Sequence, residues 1–311
     1  MDSEIQHWEK SGSYIQTEKG IGVHVLFDVF VKEIGDSTSA AENTLLLLHG
    51  FPESSFSYHL VLDGLQKQFE RIILLDLPGY GLSDKPKVGY SYSLLEQADV
   101  VLEVCNHFGV KGCHMLSHDM GDSVATELVA RQVEGSLPDW FSDGFQSYTF
   151  TNGSMVLEFA ELRIMQKLLL TSLGKYITWL SNGWIFSQQV KSAHGHAELP
   201  EAEVSRLWQL NKRKNGHRIT HLTIKYILDR KRYEANRWLP ALSKTEVPIH
   251  ICWGDKDQVA RVEMAYHLKE KVCPKAELTI IKNVGHFCQS GSPKIWLESV
   301  LNFYSKMLSS Q

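Results

Sequence analysis

The chain has few cysteines, and they form no pattern that is typical of a disulfide framework or a metal site. Its 311 residues include five, with no CxxC pair among Cys105, Cys113, Cys252, Cys273 and Cys288. An odd number of scattered thiols, mostly within apolar stretches, is typical of reduced, buried cysteines in a reducing compartment. We therefore expect no disulfide bonds and no metal site.

The chain also lacks a large charge excess, a long apolar run and the features of a secretory leader. Its formal net charge of −4 provides no basic footprint for nucleic acid. Apolar runs such as residues 44–48 are far shorter than a membrane span. The first residues, MDSEIQ, carry neither the basic nor the apolar region of a signal peptide. These absences predict a soluble cytoplasmic protein without an integral membrane segment or a nucleic-acid partner.

Strand and helix patterns alternate along the first half of the chain. Residues 22–31 alternate apolar and polar side chains, which predicts a half-buried strand. The apolar runs at 44–48 and 71–75 predict strands that are covered on both faces. Helical spacing predicts a helix over 54–68, and a capping box at 93–96 opens another helix. This alternation is typical of βαβ units and a mostly parallel sheet, and hence of the α/β class.

The alternation stops after a strand-like stretch near residue 150 and resumes near residue 247. Only helical patterns lie between these points, so we predict a core formed by residues 1–150 and 241–311 with a helical cap inserted over 151–240. Two basic clusters in the cap, at 212–214 and 230–232, are interpreted as solvated helix faces.

Residues 112–125 predict a short strand, a tight turn and a helix. At the turn, the small residues Ser117 and Gly121 flank Asp119 at a spacing of two on each side. A residue at the tip of such a turn is held on strained backbone with its side chain aimed out of the sheet. The common version of this turn carries serine at the tip, so the aspartate defines the chemistry to be expected.

Four predicted strand ends carry residues that can act together. Ligands bind at the carboxyl ends of the strands in open parallel sheets, where this chain places residues 49–52, Asp119, residues 255–257 and His286. Their order along the chain is nucleophile, acid, histidine, which is the order found in the Ser-His-Asp hydrolases of the α/β type.

These motifs together resemble the α/β-hydrolase superfamily. The resemblance is carried by the turn around Asp119 and by residues 49–52 (HGFP), 76–86 (DLPGYGLSDKP), 253–257 (WGDKD) and 285–286 (GH). The aspartate at the tip is that of the branch containing epoxide hydrolases and haloalkane dehalogenases. Within it, residues 116–125 most resemble the mesoderm-specific transcript proteins. The resemblance implies an α/β-hydrolase fold with a mostly parallel sheet, helices on both faces and a helical cap.

The resemblance also implies a covalent mechanism. Asp119 would displace a leaving group at carbon and form an alkyl ester, and His286 would then activate water to hydrolyse that ester. A second carboxylate would orient the imidazole. Asp257 fits the family position for this acid, and Asp255 is the alternative.

Further positions follow from the same resemblance. The backbone N–H groups of Phe51 and Met120 would form the oxyanion hole. Dehalogenases carry tryptophan after the nucleophile, where Met120 stands and cannot donate a hydrogen bond, so dehalogenation is disfavoured. Epoxide hydrolases use cap tyrosines to protonate the epoxide oxygen. Tyr226 resembles one of them and the second is Tyr176 or Tyr233, although each could instead pack within the cap.

We therefore expect a cofactor-independent epoxide hydrolase that acts on a small apolar substrate. Ser123 is expected to be structural, whereas Asn152 either orients the substrate or caps a turn. Two alternatives remain open at this point: a metal-free oxygenase like the luciferases related to dehalogenases, and a non-catalytic protein that binds a ligand or partner on the same scaffold.

Overall fold

The computed structural model describes residues 2–19, 25–160, 162–195 and 198–308. Eight strands form one sheet: β1 Ser13–Lys19, β2 Val25–Gly35, β3 Thr44–Leu48, β4 Arg71–Leu75, β5 Gly112–His118, β6 Gly144–Thr151, β7 Ile249–Gly254 and β8 Glu277–Ile281. Every residue of β3, β4 and β5 is buried, because these continuous apolar strands are covered on both faces.

The order of the strands across the sheet is β1-β2-β4-β3-β5-β6-β7-β8. β2 runs antiparallel to both β1 and β4, and the remaining neighbours are parallel. The sheet is therefore mostly parallel, as the alternating patterns predict. The carboxyl ends of β3, β5, β7 and β8 consequently point to one edge of the sheet.

Fourteen α-helical segments are present in the described part of the chain, with short 3₁₀ or π turns between some of them. Their bounds are α1 Ser3–Lys10, α2 Leu62–Leu65, α3 Leu94–His107, α4 Met120–Val133, α5 Ile164–Leu169, α6 Gly174–Ile177, α7 Gly183–His194, α8 Glu201–Lys212, α9 Thr220–Thr223, α10 Tyr226–Tyr233, α11 Leu239–Lys244, α12 Val262–His267, α13 Cys288–Gly291 and α14 Pro293–Leu308. None of the helices in the described residues is both long and apolar enough to pass through a bilayer.

Two expectations about local structure are corrected. The single helix predicted over 54–68 is wrong, because the region holds only a 3₁₀ turn at Ser55–Tyr58 and the short α2. The carboxylate of Asp76 accepts a hydrogen bond from the Ser55 N–H at 2.6 Å, which fixes this backbone in a loop. The pattern at the start of the chain also gave no sign of α1 and β1. The predicted strand at 22–31 is present from Val25, and its first residues lie outside the described residues.

Between β6 and β7 the described residues form helices and turns and no strand. This segment carries α5 to α11 and is referred to below as the cap. The division of the chain into domains with boundaries at 151 and 240 stays a prediction.

Candidate active site

Asp119 stands between β5 and α4 with φ of +46° and ψ of −109°. A non-glycine residue with positive φ is strained, and such strain persists only where the surrounding structure holds it. Here β5 fixes the residue before Asp119 and α4 the residue after it. The turn predicted from the sequence is therefore present, and it presents the Asp119 carboxylate at the carboxyl edge of the sheet.

The turn is closed by small residues on both sides. A side chain at Gly121 would lie 2.8 Å from the backbone oxygen of Leu48 and 2.7 Å from that of His49. A side chain at Gly50 would lie 2.7 Å from the Cβ of Asp119. All three distances are shorter than van der Waals contact, so α4 can approach the end of β3 this closely only because these positions are glycine.

The two oxygens of the Asp119 carboxylate have different surroundings. Oδ2 accepts a hydrogen bond from the Phe51 N–H at 3.0 Å. Oδ1 is buried and accepts no hydrogen bond from any described residue. The Met120 N–H, in the first turn of α4, makes no hydrogen bond to the carboxylate among the described residues, so its place in an oxyanion hole stays a prediction.

His286 lies opposite Asp119. Its Nε2 is 4.0 Å from Asp119 Oδ2, and its Nδ1 is 2.7 Å from Asp257 Oδ2. The structure therefore brings the three predicted residues together in the order carboxylate, imidazole, carboxylate. Asp255, the alternative acid, instead accepts a hydrogen bond from the Asn283 N–H at 2.7 Å and serves a turn.

Asp257 is held in place by three further donors. Its Oδ1 accepts hydrogen bonds from the N–H groups of Val259 and Ala260, at 2.6 and 2.9 Å. The Asn152 side chain donates to Asp257 Oδ2 at 2.7 Å and accepts from the Gly254 N–H at 3.1 Å. Asn152 is thus neither a substrate ligand nor a simple cap, because it links the end of β6 to the acid after β7.

A buried arginine from the cap contacts the turn. Arg230 Nη2 lies 3.3 Å from the backbone oxygen of Asp119 and 3.7 Å from its Oδ1. Its Nε donates to Ser123 Oγ at 2.8 Å, and its guanidinium lies over the ring of Tyr226 at 4.6 Å. The interpretation of residues 230–232 as a solvated face is therefore wrong for Arg230. Ser123 is structural, as expected, because it positions this guanidinium.

The sequence does contain a signal for Arg230 that the analysis of charge clusters missed. Residues four apart lie on the same side of a helix, and Arg230 follows Tyr226 by four. A cap helix that turns one of these side chains toward Asp119 therefore turns both. Two residues of the cluster at 212–214 also form salt bridges: Arg213 pairs with Glu9 and Lys214 pairs with Asp84.

The charges around Asp119 and His286 keep both groups ionised. Burial alone would raise the pKa of Asp119, but the positive charges of His286 and Arg230 lower it below the ordinary value. Burial would likewise lower the pKa of His286, but the carboxylates of Asp257, Asp119 and Glu53 raise it to about 9. The imidazole is therefore protonated at neutral pH while Asp119 carries its charge.

Glu53 and His118 form a second buried pair behind the site. Glu53 Oε2 lies 3.3 Å from His118 Nε2, and the ring of His118 lies 5.2 Å from that of His286. Burial raises the pKa of Glu53 to about 7 and lowers that of His118 to about 3. Neither residue is predicted as part of the site, although His118 stands in the motif around Asp119 and Glu53 directly follows residues 49–52.

A cavity of about 680 Å³ lies between the cap and the turn, with Asp119 and His286 on its floor. Tyr226 lines it, is only 3% exposed and packs against Phe51 with ring centroids 5.7 Å apart. Tyr176 is 60% exposed and does not line the cavity, because its neighbour Ile177 faces inward instead. The structure therefore does not bring Tyr176 together with Asp119 and His286, and its contact with substrate stays a prediction.

Tyr233, the other alternative, lies outside the cavity as well. It packs against Trp238 with ring centroids 5.6 Å apart. Tyr80, which is not among the predicted site residues, contacts the turn directly. Its Oη donates a hydrogen bond to Met120 Sδ at 3.1 Å. This hydrogen bond holds the Met120 side chain in place.

The cap also holds the loop that carries His286. The backbone oxygen of His194, at the end of α7, accepts a hydrogen bond from the His286 N–H at 3.1 Å. The Nδ1 of the same histidine accepts from the Phe287 N–H at 3.1 Å. A side chain at Gly285 would lie 2.1 Å from the His194 oxygen, so glycine is needed for this close approach.

Residues 43–293 match the sequence family described as the alpha/beta hydrolase fold. The chain belongs to this family. It is a hydrolase by that membership and by the names of its relatives. In the described residues no group of three or more His, Cys, Asp or Glu side chains is arranged to hold a metal ion.

The relatives match almost the whole of this hydrolase. A Mycobacterium tuberculosis protein named as a hydrolase, LipZ, is 35% identical and covers 96% of this chain and 97% of its own length. The mesoderm-specific transcript protein of Mus musculus is 30% identical over 96% of this chain and 87% of its own. A soluble epoxide hydrolase of Corynebacterium is 24% identical over 87% and 93% of the two chains. The predicted resemblance to the mesoderm-specific transcript proteins is therefore confirmed.

Solved structures confirm the fold. The haloalkane dehalogenase DbeA of Bradyrhizobium elkani aligns with a TM-score of 0.72 over 96% of this chain and the whole of its own, at 19% identity. At this low identity the structural alignment establishes the architecture alone. The substrate of this hydrolase has to be argued from its site.

Proposed function

We propose that this hydrolase opens epoxides of apolar substrates through a covalent ester on Asp119. The observation that carries the proposal is an ionised carboxylate at the tip of the turn, with Oδ1 unoccupied and Oδ2 held by the Phe51 N–H. A carboxylate that attacks an alkyl carbon forms a stable ester, whereas attack on an acyl group would form a labile anhydride. Asp119 therefore favours alkyl chemistry over ordinary ester hydrolysis.

In the first step, Asp119 Oδ1 attacks an epoxide carbon and the bond from that carbon to the ring oxygen breaks. Tyr226 Oη supplies the proton that the departing oxygen needs. Burial raises the pKa of Tyr226, so the phenol is intact at neutral pH and available as a donor. The Arg230 guanidinium over the ring stabilises the phenolate that remains.

Ester formation then changes the charge on the base. The Asp119 carboxylate is one of the groups that raise the pKa of His286, and the ester removes that charge. The imidazolium returns a proton to the Tyr226 phenolate and becomes a neutral base. It can then accept a proton from water, which is the role expected of it.

In the second step, water attacks Cγ of the Asp119 ester and gives one proton to His286. Charge develops on Oδ2, where the Phe51 N–H already donates. The bond between Cγ and Oδ1 breaks, and the imidazolium protonates Oδ1, which leaves with the product while the oxygen of the attacking water takes its place in the carboxyl group. The carboxylic acid left at Asp119 reprotonates His286, so one epoxide and one water yield one diol.

One relative and two features of the site support this choice of reaction. One relative along nearly the full chain is named a soluble epoxide hydrolase. The dehalogenase reaction is not proposed, because the side chain that follows the nucleophile is Met120, a thioether that accepts the Tyr80 hydroxyl and has no N–H for a halide. The apolar lining of the cavity favours an apolar substrate.

The experiment is intact-protein mass spectrometry of the His286→Gln variant incubated with aryl epoxides, fatty-acid epoxides and haloalkanes. With the base removed, an ester on Asp119 should form and persist, increasing the mass by one substrate. His286→Gln/Asp119→Asn is the matched control and should remain unmodified, whereas His286→Gln/Ser123→Ala should still react. No adduct with any epoxide on a folded protein would refute the proposal, and an adduct on Ser123 would refute the role of Asp119.

A further inference from the structure

The outer surface of the cap carries an unusual concentration of exposed apolar side chains. Of the 15 large apolar side chains that are exposed in the described residues, seven lie between residues 164 and 184. They are Ile164, Leu168, Leu173, Tyr176, Trp179, Leu180 and Trp184, and the two tryptophans are 70% and 73% exposed. Scattered exposed apolar residues need no explanation, but a contiguous group marks an interaction site.

The spacing places three members of this group on one face. Leu173, Tyr176 and Leu180 recur at intervals of three and four along a helical stretch, while Gly174 and Thr178 between them are buried. Residues at such intervals share one side of a helix. The stretch therefore presents an apolar face outward. We name the group formed by the seven residues the cap patch.

The segment that carries the cap patch contains basic residues and no acidic residue. Residues 162–195 contain four lysines and arginines and no aspartate or glutamate. Arg218, from the neighbouring turn, donates to the Thr178 oxygen at 3.2 Å and lies over the Trp179 ring at 4.6 Å. Lys167 and Lys175 are exposed within the group itself. An apolar face with exposed tryptophan and a lysine and arginine rim is the pattern of a segment that lies in a membrane interface.

The cap patch is also continuous with the cavity. Leu180 and Trp184 belong to both, since they line the cavity and are largely exposed to solvent. The cap patch therefore extends to the cavity that holds Asp119. A molecule dissolved in a lipid layer that covered this face could reach the carboxylate without crossing water.

We infer that the cap patch docks on the surface of an anionic lipid bilayer and delivers an apolar substrate from it. The segment of residues 162–195, which is basic and contains no acidic residue, favours the negative charge of anionic lipid headgroups as the partner of the patch. The lipid contact stands independently of the chemistry at Asp119. Only the delivery of substrate rests on the proposed function.

The test is flotation of the purified protein with vesicles of phosphatidylcholine alone or mixed with phosphatidylserine, without substrate. The wild-type protein should float with the mixed vesicles and far less with phosphatidylcholine. Leu173→Ser/Trp179→Ser should lower the partition by about tenfold or more. Val88→Ser/Ile295→Ser, at exposed apolar positions elsewhere, is the matched control and should float like the wild type.

A charge pair of variants tests the headgroup contact. Lys167→Glu/Lys175→Glu should lose binding to the mixed vesicles, whereas Lys87→Glu/Lys294→Glu makes the same change of net charge elsewhere and should retain it. Melting curves verify that each variant is folded. Brominated lipids should quench the wild-type fluorescence, and less so after Trp179→Ser.

Two results would overturn the inference. The first is wild-type protein that stays with the soluble fraction in the presence of mixed vesicles. The second is a cap-patch variant that floats as well as its control. If sedimentation without lipid instead showed a dimer that Leu173→Ser/Trp179→Ser dissociates, the cap patch would be a surface between two copies of the chain. Because no turnover is measured, failure here is distinct from failure of the epoxide reaction.

Discussion

Replacing Arg230 by methionine should weaken the nucleophile at acidic pH. The guanidinium Nη2 lies 3.7 Å from Asp119 Oδ1. At an effective dielectric constant of about 20, two unit charges at that separation attract each other by about 4 kcal/mol. This attraction is the upper limit of what the guanidinium contributes to the ionised form of Asp119. We expect Arg230→Met to raise the pKa of Asp119, because the neutral side chain removes that attraction.

The direction of the pH effect follows from which form reacts. Only the ionised carboxylate attacks carbon, so the rate of ester formation falls as the pH drops through the pKa of Asp119. A higher pKa moves that fall to higher pH. The assay compares Arg230→Met/His286→Gln with His286→Gln, in which the ester accumulates. Single-turnover rates are measured by mass spectrometry from acid to neutral pH.

Two further variants separate charge from packing. Arg230→Lys keeps a cation near Asp119 and should therefore keep the pKa of Asp119 close to its wild-type value. Ser123→Ala removes the acceptor at 2.8 Å from Arg230 Nε but leaves the charge, so it should shift the profile less than Arg230→Met. The reasoning would be refuted if the rate of ester formation fell at the same pH in Arg230→Met and Arg230→Lys and the two proteins had similar melting curves.

Three other variants test the rest of the site. Asp257→Asn should slow hydrolysis of the ester by about 10³–10⁴-fold, whereas Asp255→Asn should change turnover little; equal effects in steady-state assays would contradict the geometry. Tyr226→Phe should slow ester formation by about 10²-fold or more, and Tyr176→Phe, at an exposed position, should not; stopped-flow or quenched reactions report both. Gly121→Ala should lower the free energy of unfolding by about 1–3 kcal/mol through overpacking, and denaturant unfolding at wild-type stability would disprove the close contact with β3.

The core of the site could be predicted because its residues sit in contiguous patterns. Strand β3 ends two residues before Gly50 and β5 ends directly before Asp119, so pattern and position together place these residues at the carboxyl edge. Asp257 and His286 follow strands β7 and β8 in the same way. Their approach to within 2.7 Å follows from the topology of a parallel sheet, which the alternating patterns already predict.

The cap could be predicted only in outline. Its helices are short, and their positions over the sheet depend on contacts between distant residues rather than on periodicity. The charge pattern therefore groups Arg230 with its neighbours, and the resemblance does not show that Ile177 rather than Tyr176 faces the cavity. Asn152 has the same explanation, since its role depends on a partner 105 positions away.

The contacts that Arg230 and His194 make with the core have a consequence for engineering. Arg230 helps to keep Asp119 ionised, and the backbone oxygen of His194 holds the loop that carries His286. Both residues belong to the cap. A cap exchanged with that of a relative would therefore alter reactivity as well as substrate choice, unless the transplanted segment supplied a cation at the first position and a carbonyl oxygen at the second. Specificity and reactivity in this hydrolase are inherited together.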